Sequence, residues 1–283
     1  MLQNQSFETT ILEEQLSTSE NELMVLEEFN ALNEAVETQE KDGKSLGVKA
    51  KEFFIKVIKA IKEALKKFMN FFVDAFNKLF SRFNKIEEYI KQSKLEGTVD
   101  KEKQEEAFVL LAKKVNVKAF NPGNANIEKS EQEINHLQSL LGSEKSASNS
   151  IYDARILKDK ASVESAMKDS RVNMNVIKSA AKSIQQGAKS VEASAKEGIQ
   201  ASGKDNKELI KQKQAETKLK NKGVAVARRF ASLAISNNNE VLVKSYKVAK
   251  AISSQNKASQ KAGNKAVKAQ NKDADKKAKA MNA

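Results

Sequence analysis

The sequence predicts an all-α protein: an elongated helical bundle, coiled-coil-like in character, with a flexible acidic N-terminus and a basic C-terminal tail. Three observations carry this expectation. The 283-residue chain has one proline, so little interrupts a helix. Good helix formers (Ala, Lys, Glu, Gln, Leu) dominate its composition. Eleven apolar positions from Phe54 to Ile90 recur at a mean step of 3.6 residues, the α-helical period.

Charge divides the chain. Residues 1–40 hold ten Glu and no basic residue, a net charge of −10. The remainder holds all 50 basic residues and 27 acidic ones, a net of +23. A change of sign at one point marks a segment boundary. In the acidic piece Ile11, Leu12, Leu16, Leu23, Leu26, Leu32 and Val36 fall at roughly helical intervals, predicting one or two short acidic helices. Lys41 to Gly47, with two glycines, reads as a linker.

Residues 48–92 give the strongest signal. Phe54, Ile58, Ile61, Leu65, Phe68, Phe72, Phe76, Leu79 and Phe83 form one stripe, opposite Lys49, Lys56, Lys59, Lys62, Lys66 and Lys67. Such a stripe must be buried against partner helices, another copy or a membrane surface. Residues 100–119 read as a shorter amphipathic helix around Phe108, Leu110, Leu111 and Val115. The lone proline, in Phe120 to Asn126, marks a loop. A helix around Ile134, Leu137, Leu140 and Leu141 follows, ended by Gly142 and a Ser-rich run from Ser143 to Ser150.

From Ile151 to Gly203 a narrow stripe of small residues predicts a long, loosely packed helix. Residues 204–222 are highly charged, and 224–251 regain apolar content. The tail, 257–283, carries eight Lys and two Asp among Ala, Asn, Gln and Ser, and cannot build a core of its own. The expected segments are therefore 1–40, 41–142, 143–256 and 257–283.

No catalytic constellation is legible. The chain lacks cysteine, a phosphate-binding loop and the common hydrolase and metalloprotease motifs. Its one histidine, His136, reads as a structural or surface residue. A non-enzymatic protein without metal or cofactor is expected. The first basic residue is Lys41, so no secretory leader is expected. The longest uncharged run, Phe230 to Asn239, is too short to span a bilayer.

A net charge of +13 favours anionic partners. Lys257, Lys261, Lys265, Lys268, Lys272 and Lys276, spaced 4, 4, 3, 4 and 4, form one stripe if helical. With Arg228 and Arg229 they are the candidate phosphate contacts. The predominance of Lys over Arg points to nonspecific backbone binding.

The acidic, Leu/Glu-rich N-terminus ending in Phe29 to Glu40 resembles the propeptides of internal head proteins of large tailed bacteriophages. The Lys/Phe helix that follows is similar to segments of virion structural proteins of such phages. In that class a prohead protease removes the acidic segment, cutting after Glu in motifs matched by Leu32-Asn33-Glu34 and Ala35-Val36-Glu37. Glu34, Glu37 and Glu40 are the cleavage candidates. The resemblance implies a virion structural protein located inside the phage head, in the host cytoplasm during assembly. Its partners would be packaged DNA, other capsid or core proteins, and further copies of itself. Two other readings stay open: a peripheral membrane protein acting through residues 48–92, and a coiled-coil assembly protein with no anionic ligand.

Overall fold

The computed structural model describes residues 46–117, 127–142, 151–204 and 206–281. The expected acidic helices, the 41–45 part of the linker, the loop around Pro122 and the Ser-rich run lie outside them. The fold is all-α and elongated. Its elements are α1 (Leu46–Gln92), β1 (Glu105–Leu110), α2 (Ile127–Gly142), β2 (Tyr152–Leu157), α3 (Lys160–Gly203) and α4 (Lys207–Met281). Short 3-10 turns, Lys101–Lys103 and Ala112–Lys114, flank β1.

Three long helices make the bundle. Contacts between α1 and α3 descend one helix as they climb the other: Lys62 pairs with Glu192, and Arg171 with Glu87. These two helices are therefore antiparallel. Contacts between α1 and α4 climb both: Arg228 lies over Phe68, Arg82 bonds Asn239, and Tyr89 meets Tyr246 edge-on. Those two are parallel, with α3 antiparallel to both.

The phenylalanine stripe supplies one wall of the core. Phe54, Ile61, Phe68, Phe72, Phe76, Leu79 and Phe83 are buried, while Ile58 and Leu65 at its margin are partly buried. Neighbouring rings touch along it, Phe68 on Phe72 at 5.7 Å and Phe72 on Phe76 at 5.6 Å. The small residues of α3 form the facing wall. Ala180, Ala181, Gly187, Ala188, Ala195 and Gly198 are buried, and their size lets bulky partners approach closely. A Cβ on Gly187 would lie 2.7 Å from Val224 of α4. The narrow stripe legible in the sequence is thus a close-packing surface.

Two sequence expectations are corrected. Residues 105–110 form a strand, and so do 152–157, which open the region read as one long helix from Ile151. The strands pair antiparallel, Glu105 opposite Leu157 through Leu110 opposite Tyr152. Buried Ala107 and Val109 alternate with the more exposed Glu106 and Phe108, a period of two that a six-residue window hides within a helical reading. Helix α3 begins only after Asp159, whose carboxylate accepts from the Ser162 N–H at 2.8 Å in a reciprocal capping box.

The segment boundaries also change meaning. β1 and β2 join the 41–142 and 143–256 segments in one sheet, and α1 packs on α3 and α4. No break occurs at 257: α4 runs 75 residues, about 110 Å at the helical rise.

Candidate nucleic-acid interface

Helix α4 leaves the bundle at a defined level. Gln255 donates to Asp100 Oδ2 at 2.8 Å, and Asn256 donates to the Lys94 carbonyl at 2.9 Å. Every residue from 257 to 270 is exposed. The sequence there holds Lys257, Lys261, Lys265 and Lys268, and no acidic residue. Steps of four, four and three keep these lysines on one side of the helix, about 6 Å apart along its axis. Lys272 and Lys276 continue the same spacing on the same helix. Residues 257–281 extend roughly 37 Å past the last bundle contact. Exposed Val267 is the one large apolar side chain described there. A helix so constituted has no face to bury and offers a row of ammonium groups to solvent.

The two arginines do not join that row. Arg228 is 6% exposed and stacks 5.5 Å from the Phe68 ring centroid, inside the α1–α4 contact. This corrects its assignment as a phosphate contact: the sequence shows its charge but not its burial. Arg229 is half-buried, its guanidinium beside Gly142 at the C-terminal end of α2, where the helix dipole favours a cation. Both sit roughly 40 Å below the start of the lysine row.

A second basic surface occupies the opposite end of the bundle. Lys51, Lys56, Lys59, Lys62, Lys66 and Lys67 are exposed on α1, with Lys62 held 3.2 Å from Glu192. In the sequence all of these but Lys51 serve only as the polar side of the stripe. Their density, six lysines in seventeen residues, was the available signal that they form a surface of their own.

The apolar stripe that a membrane-surface reading relies on faces α3 and α4. Of the large apolar side chains on α1, Val48, Ile55, Val73 and Phe80 remain exposed, and Lys178 lies 5.8 Å over the Phe80 ring. No described helix is long and apolar enough to cross a membrane.

Buried polar groups in the bundle serve packing. Asn173 donates to the Leu110 carbonyl and to Asn238, and accepts from the Ala112 N–H at 3.0 Å. Lys213 and Lys220 both bond Glu216, which is 6% exposed, and Lys213 also reaches Glu197. Burial pushes the Glu216 carboxyl up, but hydrogen bonds from Lys220 and Lys213 outweigh it and hold the group below its ordinary range. His136 is exposed on α2. Glu34, Glu37 and Glu40 lie outside the described residues.

These features define an elongated helical bundle with a bare, lysine-bearing helical extension. Compared with known proteins, the chain matches no family model, no curated protein and no solved structure.

Proposed function

We propose that this is a structural protein of a phage head interior that binds packaged DNA nonspecifically through charge. One observation carries the DNA-binding part: the 257–270 helix, fully exposed, free of acidic residues, with four lysines in one row. A duplex carries one negative charge per about 1.7 Å, so a basic rod can lie against it in many registers. Lysine contributes point charges without the planar fork that reads a guanine edge. The binding is therefore indifferent to sequence and sensitive to salt.

The order of charge supports the virion setting. The −10 segment precedes the +23 body, and it ends in the Glu motifs at Glu34, Glu37 and Glu40. While attached, the acidic segment offsets part of the positive field. Its removal after Glu34, Glu37 or Glu40 releases that field among packaged DNA.

Fluorescence anisotropy of the full chain with two unrelated duplexes, across a salt series, tests the reading. Equal affinities and a steep linear fall of log affinity with log salt are expected. A flat salt response, or strong preference for one duplex, would overturn it.

A further inference from the structure

The two edges of the small sheet are treated differently. The outer edge of β1 is closed by α4. Asn237 Oδ1 accepts from the Leu110 N–H at 2.8 Å, Asn237 Nδ2 donates to the Phe108 carbonyl at 2.7 Å, and Lys244 Nζ donates to the Glu106 carbonyl at 2.8 Å. These bonds fix the parity of the ladder. Residues 106, 108 and 110 point away from β2, so Ala107 and Val109 exchange bonds with Arg155 and Asp153. The Leu111 N–H bond to the Ile151 carbonyl, 2.8 Å, continues the same alternation.

It follows that Tyr152, Ala154 and Ile156 direct their N–H and C=O groups away from β1. Among the described residues nothing hydrogen-bonds these groups; the next carbonyl of the same parity, that of Lys158, accepts from the Val99 N–H at 2.9 Å, so the free edge ends there. Ala154 is exposed and Ile156 is 49% exposed. Natural sheets guard free edges with lysine, proline, bulges or a covering element. Residues 152–157 contain no lysine or proline and pair without a bulge. The one cation, Arg155, is turned to Asp153 at 2.8 Å and to Asp169 of α3 at 2.6 Å.

We propose that the free edge of β2 pairs antiparallel with β2 of a second copy, making one sheet in the order β1, β2, β2, β1. The strand is self-complementary about Ala154. With a twofold axis there, the outward groups of Tyr152, Ala154 and Ile156 meet those of Ile156, Ala154 and Tyr152 in the other copy. On one face Ile156 lies against Tyr152, an aromatic and β-branched pair, with the small Ala154 side chains at the axis. On the other face Asp153 lies opposite Arg155 of the second copy, and Arg155 opposite its Asp153. Moving the axis to Arg155, a two-residue slip, keeps the bonding groups of Ala154 and Ile156 opposite each other but sets Arg155 against Arg155, and that like-charge pair disfavours the alternative register. Charge complementarity of the strand with itself singles out a second copy as the occupant.

The absence of cysteine gives a direct test. Ala154→Cys introduces the chain's sole thiol, and the pairing brings two of them within disulfide reach across the axis. With copper-phenanthroline as oxidant, Ala154→Cys is expected to form a covalent dimer, while Lys168→Cys, exposed on α3, stays monomeric. Sedimentation equilibrium should show a concentration-dependent dimer for the natural chain. Ile156→Asp and Ala154→Pro should both shift it to monomer, with helical content by circular dichroism unchanged for Ile156→Asp. The cysteine result stands independently of how the proline variant folds. A natural chain that stays monomeric into the high micromolar range overturns the proposal. So does a dimer that persists in Ile156→Asp and yields no cross-link at position 154.

Discussion

Gly198 of α3 faces the ring of Phe54 of α1 so closely that a Cβ there would lie 2.2 Å from its Cζ. Phe54 is fully buried, so the ring has little freedom to withdraw. Gly198→Ala should destabilise the fold by about 1–3 kcal/mol through overpacking, despite alanine's better helix propensity. Gly263 on the exposed part of α4 has nothing within 4 Å of its Cβ position. Gly263→Ala should stabilise that helix locally by about 1 kcal/mol. Urea unfolding reads the first, and amide exchange around residue 263 reads the second.

Asn237 holds the outer edge of β1 with both ends of its amide. Asn237→Leu leaves the Leu110 N–H and the Phe108 carbonyl without it, which should cost about 2–4 kcal/mol. Asn237→Asp keeps an acceptor for Leu110 but sets a carboxylate against the Phe108 carbonyl. It should be no milder. Equal stability of either variant to the natural chain, by urea unfolding, would contradict this account.

Stability should fall in acid. Hydrogen bonds from the Ser162 N–H and hydroxyl hold the Asp159 carboxyl below its ordinary 3.8, and Glu216 lies below its ordinary 4.5. A depressed carboxyl stabilises the fold fully above its unfolded value, and that contribution is lost as pH falls through the folded value. The window therefore lies below 4.5 for Glu216 and below 3.8 for Asp159. Glu216→Gln leaves Lys220 buried without its carboxylate and should cost about 3 kcal/mol at pH 7. The gap between this variant and the natural chain should narrow as pH drops through that window. A pH-independent gap would sink the assignment.

Much of the fold is legible in the sequence because the long helices are periodic over many turns. Phe54 to Ile90 repeats its signal ten times, and the facing stripe from Val163 to Ile199 is nearly as long. The strands have six residues each and take their stability from a partner some fifty residues away, so local pattern cannot distinguish Glu105–Leu110 from a turn and a half of helix. Asn237, Asn238 and Asn239 read as neutral helix positions, and only the docked strand and neighbouring helices reveal their roles. Arg228 shows the same limit for the candidate site. A guanidinium in sequence is a charge, and whether it meets phosphate or Phe68 depends on which side of α4 is buried. The lysines from 257 onward are different, since a segment with no apolar stripe has no core side to hide them.

Removing residues 1–40 takes the net charge from +13 to +23. DNA affinity at low salt should rise on the order of tenfold, as the acidic field is lost. Competitive binding of the full and shortened chains to one duplex checks this. Unchanged affinity would remove the masking role.

The most direct measurement is the salt slope of DNA binding for the full chain carrying Lys257→Gln, Lys261→Gln, Lys265→Gln and Lys268→Gln together. These side chains are exposed, so the bundle should unfold as the natural chain does. A large loss of affinity is expected, with a slope shallower by about 3–4, roughly one released counterion per lysine. Arg229→Gln should leave the slope unchanged. A quadruple variant that binds with the natural slope would contradict the claim that the α4 extension is the nucleic-acid interface.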